Sequence, residues 1–322
     1  MLWTEPDWLE SVHDWIRSQL ERLGLEPAGE IEQPHVRPWS TVLRVPTDDG
    51  DVWFKANMPT QAFEVAVVET LAARRPDLVP TLLATDLERG WMLQGDGGTR
   101  LREILEETGD FDVWVEILPL YAELQMDVAA DRGRLLAAGV PDRLLASLPR
   151  QFEEVLTDAE ALETLTQDER RHLAALAPRI EAECRQLADY GLPETIQHDD
   201  LHDGQVFVRD GRFLFFDWGD ACVSHPFYTL VVTLAVLAYR LELDHDAPEL
   251  DRFRDAYLEP WTRFRPRSEL EQAYPLAYRL GVLCRGLTWR SVVAVLPQPL
   301  RDDEADAVPE RMRMLLDVYE AA

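Results

Sequence analysis

At 322 residues, 46% apolar and 29% charged, the chain is long enough for one large domain or two ordinary ones with real cores, and too apolar for disorder. A formal net charge of −28 repels polyanions, which argues against nucleic acid and anionic membrane as partners. Cys184, Cys222 and Cys284 are odd in number and far apart, so they suggest neither a disulfide framework nor a paired metal motif.

The opening stretch "MLWTEPDWLE" is acidic and has no apolar run, unlike a signal peptide. Thr4 and Asp7 have capping-box spacing, Pro6 falls in the first turn, and Leu9, Val12, Ile16, Leu20 and Leu23 form one helical face over 4–23. After Gly24, "STVLRVPTDDGDVWFKA" reads as two strands around Asp48-Asp49-Gly50. A helix "FEVAVVETLAARR" follows, then two short strands in "PTLLATDLERGWMLQ" joined at Glu88-Arg89-Gly90. Gly95-Asp96-Gly97-Gly98 is the most flexible stretch and the best candidate for a hinge.

Beyond it the pattern is mostly helical, over 111–130, 168–190, 226–243, 249–264 and 268–296, with a single β interruption at 205–217. The longest apolar run, Leu230 to Tyr239, falls well short of the ~20 residues a bilayer requires. The expected class is α+β and the expected location cytoplasmic. The expected organisation is an N-terminal helix and small mixed lobe over 1–94, a hinge at 95–98, and a helical lobe over 99–322. Most tryptophans, among them Trp3, Trp8, Trp15, Trp114, Trp261 and Trp289, read as core or interface anchors.

The chemistry concentrates in "IQHDDLHDGQVFVRDGRFLFFDWGDA", residues 196–221. Asp210-Gly211 is a strong two-residue hairpin signal, which pairs Arg209 with Arg212, Gln205 with Phe216 and Gly204 with Asp217. Gln205 and Asp217 therefore share one end of the ribbon, entered by the polar run His198-Asp199-Asp200-Leu201-His202-Asp203. Hard divalent cations prefer oxygen ligands, and Mg²⁺ takes few of them from protein, so this end could hold one.

These residues resemble the catalytic core of the aminoglycoside phosphotransferase and choline kinase-like family, small-molecule kinases with a two-lobed protein-kinase-like fold. The family loop H-G-D-x-H-x-G-N is matched at His198, Asp200, His202 and Gly204, and its D-W or D-F motif at Asp217-Trp218. Across roughly 30–300 the resemblance implies phosphoryl transfer from ATP, with GTP the alternative donor, in a small mixed N-lobe and a large mainly helical C-lobe. It implies Asp200 as acceptor of the substrate hydroxyl proton, with Asp217 and Gln205 as ligands of Mg²⁺. It also gives a role to Lys55, the only lysine among 32 basic residues, on the α- and β-phosphates. A compact ammonium there does what a forked guanidinium cannot. Glu64, rather than a solvated Glu69, is the implied partner of Lys55. Arg37 to Thr41 becomes the phosphate-covering turn, with Ser40 and Thr41 as donors, and Met92 to Gly95, with Gln94 among them, the backbone beside adenine.

Several positions depart from the family pattern: Gln205 stands for Asn, Asp199 for Gly, Asp203 for a frequent Pro, and Thr229 for a buttressing Asp. The extra methylene of Gln205 shifts its amide by roughly 1.5 Å. These departures motivate the main alternative, a non-catalytic kinase-like nucleotide-binding module. A metal-dependent phosphohydrolase using His172, His198 and His202 would need packed helices where a hairpin is predicted. The implied partner is a small-molecule hydroxyl acceptor, with Asp220, Glu242, Asp244 and Asp246 read either as a wall for a cationic one or as solvated helix ends.

Overall fold

The computed structural model describes residues 2–321. The chain forms two compact units, Met1–Leu101 with Gln205–Gly219, and Arg102–Gly204 with Asp220–Ala322. The hairpin that interrupts the helical part thus belongs with the first unit.

In chain order the first unit contains α1 (Pro6–Leu23), β1 (Glu32–Val36), β2 (Ser40–Thr47), β3 (Gly50–Asn57), α2 (Glu64–Arg74), β4 (Leu82–Asp86), β5 (Trp91–Gly95) and β6 (Thr99–Arg100). The first five strands make an antiparallel sheet in the order β1-β2-β3-β5-β4. Alternation along β3 sends Val52, Phe54 and Ala56 to one face, where Val12, Ile16 and Leu20 of α1 pack against them. Edge-to-face rings of Trp8, Trp15, Phe54 and Trp91 fill the same layer. Lys55 therefore points to the opposite face. The expected capping box is absent: a 3-10 turn takes Leu2–Thr4, so Glu5 becomes the N-cap and Pro6 the first helical residue.

The glycine-rich stretch is closely packed against the hairpin. A Cβ on Gly97 would strike the Phe207 ring, and one on Gly98, whose φ is +90°, would strike the Val208 carbonyl. These glycines let the chain pass close over the hairpin.

The second unit contains α3 (Leu101–Thr108), α4 (Trp114–Val128), α5 (Arg132–Ala137), β7 (Asp142–Arg143), α6 (Leu148–Leu156), α7 (Gln167–Asp189) and β8 (Thr195–Gln197). The chain then returns to the first unit as β9 (Val206–Arg209) and β10 (Arg212–Phe215), which pair as predicted from Arg209↔Arg212 onward and extend to β6. It continues as β11 (Cys222–Ser224), α8 (Leu230–Arg240), α9 (Asp251–Leu258), α10 (Arg267–Val293), α11 (Gln298–Asp303) and α12 (Ala307–Glu320). A third sheet, β7-β11-β8, corrects the expectation of a single β interruption. Its strands are two or three residues long, too short to carry an alternation signal. Among the described residues no helix is long and apolar enough to cross a membrane.

Candidate active site

In the first unit the centre is Lys55. Its Nζ donates to Glu64 Oε1 at 2.8 Å and to Asp217 Oδ1 at 2.6 Å. Glu64 is buried at the start of α2 and also accepts from the Asn57 amide and, at 2.8 Å, from the Trp218 backbone N–H. Burial lifts the Glu64 carboxyl above its ordinary value and Lys55 opposes this; with three donors converging on it, the site is built for a carboxylate. Burial disfavours the Lys55 charge, but Asp217 and Glu64 outweigh it and raise the ammonium further above neutrality. Gln61 Nε2 ties the same segment down, donating to the Gly219 carbonyl at 3.0 Å.

The hairpin brings Gln205 and Asp217 to one end: the Phe216 N–H donates to the Gln205 carbonyl at 3.2 Å. Asp217 has a left-handed φ of +64°, and its side chain is 43% exposed while one oxygen rests on Lys55. A half-exposed carboxylate suits a hard cation. The surroundings are basic despite the acidic composition. His35, lowered by burial, feels Asp217 together with Arg37, Lys55 and Arg100, and Arg100 lies over the Phe216 ring at 5.8 Å. His35 and Arg100 were missed by the sequence reading. Isolated on short strands, they carry no motif, and a count of local cations would have been the only signal.

Four sequence expectations meet other engagements in this unit. Thr41 is fully buried, and its hydroxyl is already engaged, donating to the His35 carbonyl at 2.8 Å while accepting from Gln33 at 2.9 Å. Ser40, 6% exposed, pairs with Asn57 in the ladder. Met92 and Gln94 lie in β5 between β3 and β4, which commits their backbone groups to the sheet; chain that leaves the ladder begins at Asp96. Glu69 is not simply solvated, since Thr85 Oγ1 donates to it at 2.7 Å.

In the second unit the polar loop is held from several sides. Tyr121 OH accepts the His198 backbone N–H at 2.9 Å and the Thr229 hydroxyl at 3.2 Å. Thr233 Oγ1 donates to the Leu201 carbonyl at 2.8 Å. The buttress expected from an Asp at 229 is thus supplied by Tyr121 and Thr229 together. Arg102 Nε and Nη2 donate to Asp203 Oδ1 at 3.0 and 2.8 Å; burial opposes the Asp203 charge, but His202 and Arg102 bring its carboxyl down to about 2.

Arg285 of α10 is the other residue missed. It is 7% exposed and donates to Asp200 Oδ1 at 2.9 Å and Asp220 Oδ2 at 2.7 Å, with Asp199 Oδ2 at 3.5 Å. Burial alone would lift Asp200; the Arg285 guanidinium, then His202, hold it well below the usual carboxylate range. Asp199 sits at a φ of +62°, a conformation that suits the family's glycine, and burial raises its carboxyl to about 6 against the pull of Arg285. Its neighbours Asp200 and Asp203 draw the His202 imidazole upward to about 9 against burial. However, His202 Nδ1 accepts the Gly204 N–H at 2.9 Å, which only an unprotonated nitrogen can do. The proton therefore sits on Nε2, which faces Asp200 Oδ2 at 3.4 Å.

Known structures place this fold. The chain resembles choline kinase from Streptococcus pneumoniae (15% identity, 97% of this chain and 100% of that one, TM-score 0.60). It also resembles an aminoglycoside phosphotransferase with ADP bound (12%, 94% and 96%, 0.55) and an amicoumacin kinase in complex with AMP-PNP and Ca²⁺ (12%, 95% and 96%, 0.55). At these identities the likeness is one of fold, the protein-kinase-like fold. The model of the phosphotransferase enzyme family matches residues 33–267, and the chain belongs to that family. A search of curated protein sequences found no match.

Proposed function

We propose that this protein transfers the γ-phosphate of ATP, or of GTP as the alternative donor, to a hydroxyl of a small molecule. The observation that carries the reading is the Lys55 ammonium, 2.8 Å from Glu64 and 2.6 Å from Asp217 on a basic face of a strongly acidic protein. Lys55 would bind the α- and β-phosphates, with Glu64 fixing its position. Arg37 and Arg100 add positive charge, and backbone from Asp96 onward is the first that could face adenine. Asp217 and Gln205 would hold Mg²⁺, which when bound neutralises charge on the phosphates. Asp200 would orient the acceptor hydroxyl and accept its proton.

The similar structures support a nucleotide and a divalent ion, and their names point to small hydroxylated substrates. For a cationic acceptor the acidic wall is thinner than the sequence suggested. Asp220 is bound by Arg285, while Glu242, Asp244 and Asp246 are exposed at and beyond the end of α8. The Tyr121–Thr229 buttress weakens the case for a non-catalytic module, because the loop is braced without the missing Asp.

The test is transfer of label from γ-labelled ATP across amino sugars, aminoglycosides, amino alcohols and neutral polyols. A labelled product that disappears in Asp200→Asn, by ~10²–10⁴-fold in rate, is the expected result. Nucleotide binding without product from any acceptor would contradict transfer.

A further inference from the structure

We infer that Arg285 is a positioning residue for phosphoryl transfer, fixing the Asp200 carboxylate from α10 so that Asp200 orients the acceptor hydroxyl and takes its proton late. The inference rests on the phosphotransferase reading above and adds a residue from outside every motif of the sequence.

The geometry leaves Asp200 little freedom. Its Oδ1 accepts from Arg285 Nη2 at 2.9 Å, and its Oδ2 faces His202 Nε2 at 3.4 Å. The imidazole is in turn fixed by the Gly204 N–H on Nδ1. Arg285 itself is anchored beyond Asp200. Its Nη1 donates to Asp220 at 2.7 Å and approaches Asp199 at 3.5 Å, and the guanidinium lies over the Trp289 ring at 5.6 Å. A planar fork with several donors can serve all these partners at once; a lysine could not. Two anchors, one at each carboxylate oxygen, set the rotation of the group.

The chemical consequence concerns the order of events. The new bond forms between the acceptor oxygen and the γ-phosphorus while the bond from that phosphorus to the bridging oxygen breaks. Its electron pair leaves on the nucleoside diphosphate, and the hydroxyl proton passes to Asp200. A carboxylate stabilised by a guanidinium is a weak base, and base strength governs how early a proton is taken. In a loose transition state the hydroxyl loses its proton late, so a weak, well-oriented base suffices. Arg285 thus gives up base strength for orientation.

The test uses the full chain in three forms: unmodified, Arg285→Lys, and the double variant Arg285→Met with Asp220→Asn, which removes one of the carboxylates left behind. Three quantities are measured: the carboxyl ¹³C shift of Asp200 against pH, assigned with Asp200→Asn; ATP affinity by calorimetry; and kcat and KM against pH for the acceptor found above. In the unmodified protein the Asp200 signal should stay flat from about pH 7 down to about pH 4, where an ordinary Asp is already about half titrated. In the double variant it should titrate within that window. There kcat should fall ~100-fold, the scale of a misplaced reacting group, with its acid limb moved upward and ATP affinity within about twofold. Arg285→Lys, retaining charge but not the fork, should keep the signal flat and still lose rate. Ordinary titration of Asp200 in the unmodified protein, or unchanged rates and pH profiles in folded variants, would overturn the role of Arg285 while leaving the phosphotransferase reading intact. An unmodified protein that binds ATP and transfers to nothing would overturn both.

Discussion

Each unit contains a buried cation shared among carboxylates, two in the first and three in the second, and the two differ in how those acids are satisfied. In the first unit Lys55 serves Glu64 and Asp217, and Glu64 is further satisfied by Asn57 and the Trp218 backbone. In the second, Arg285 serves Asp199, Asp200 and Asp220, so acids outnumber the cation by three to one. The surplus appears as the Asp199 carboxyl, raised by burial to about 6. A hub whose buried carboxylate meets further neutral donors stabilises the fold; one with the larger excess of acid stores unfavourable charge beside its functional loop. Buried ion pairs are costly to break and only sometimes profitable to keep, and these two illustrate both cases.

The largest effect that would break this comparison is in the first hub. Lys55→Met leaves Glu64 buried without its cation and should cost about 3–5 kcal/mol in urea denaturation. A loss below about 1 kcal/mol would mean Glu64 is held neutral.

Next in size is the response to acid, which should come from the second unit. Burial depresses His225 to about 3, so the unfolded chain takes up a proton from about pH 6.5 downward and the folded chain does not. Stability from this group is complete above pH 6.5 and is lost as pH falls toward 3, at roughly 1.4 kcal/mol per unit at the limit. Asp199 acts in the opposite sense. Its folded value of about 6 lies above the ordinary 3.8, so its unfavourable charge is relieved as pH falls from 6 to 4. Thermal melts across pH should therefore show a flattened acid limb in His225→Asn and a steeper one in Asp199→Asn.

A smaller pair of effects sharpens the contrast by sign. Glu64→Gln places an amide where three donors converge and should destabilise by about 1–3 kcal/mol. Asp199→Asn removes surplus charge at a left-handed position that Asn tolerates, and should stabilise at pH 8 by about 1–3 kcal/mol. The same sign for both would erase the distinction between the hubs. Smallest is a control away from both hubs, Gly98→Ala. It should cost about 1–3 kcal/mol through its φ of +90° and the Val208 carbonyl, without altering either titration.

The two hubs also differ in how far they could be read beforehand. Lys55 stands out because the composition makes it unique, and Glu64 follows from the family resemblance. The hairpin register placed Gln205 and Asp217 together, because Asp-Gly turns constrain pairing tightly. Arg285 was invisible among the arginines: it reaches the loop from α10, 85 residues along the chain from Asp200, and only tertiary structure brings it there. Tyr121 was hidden for the same reason. Thr41, Met92 and Gln94 were placed in the right strands, but sequence does not tell which backbone and hydroxyl groups a sheet has already engaged.

The central claim, that the Lys55–Glu64–Asp217 face receives a nucleotide and a divalent cation, is tested most directly by calorimetric titration of ATP with and without Mg²⁺, in the unmodified protein, Asp217→Ala and Lys55→Arg. Binding should depend on Mg²⁺, be abolished in Asp217→Ala and be weakened in Lys55→Arg despite the retained charge. Binding indifferent to Mg²⁺ and to both substitutions, or no binding under either condition, would contradict it.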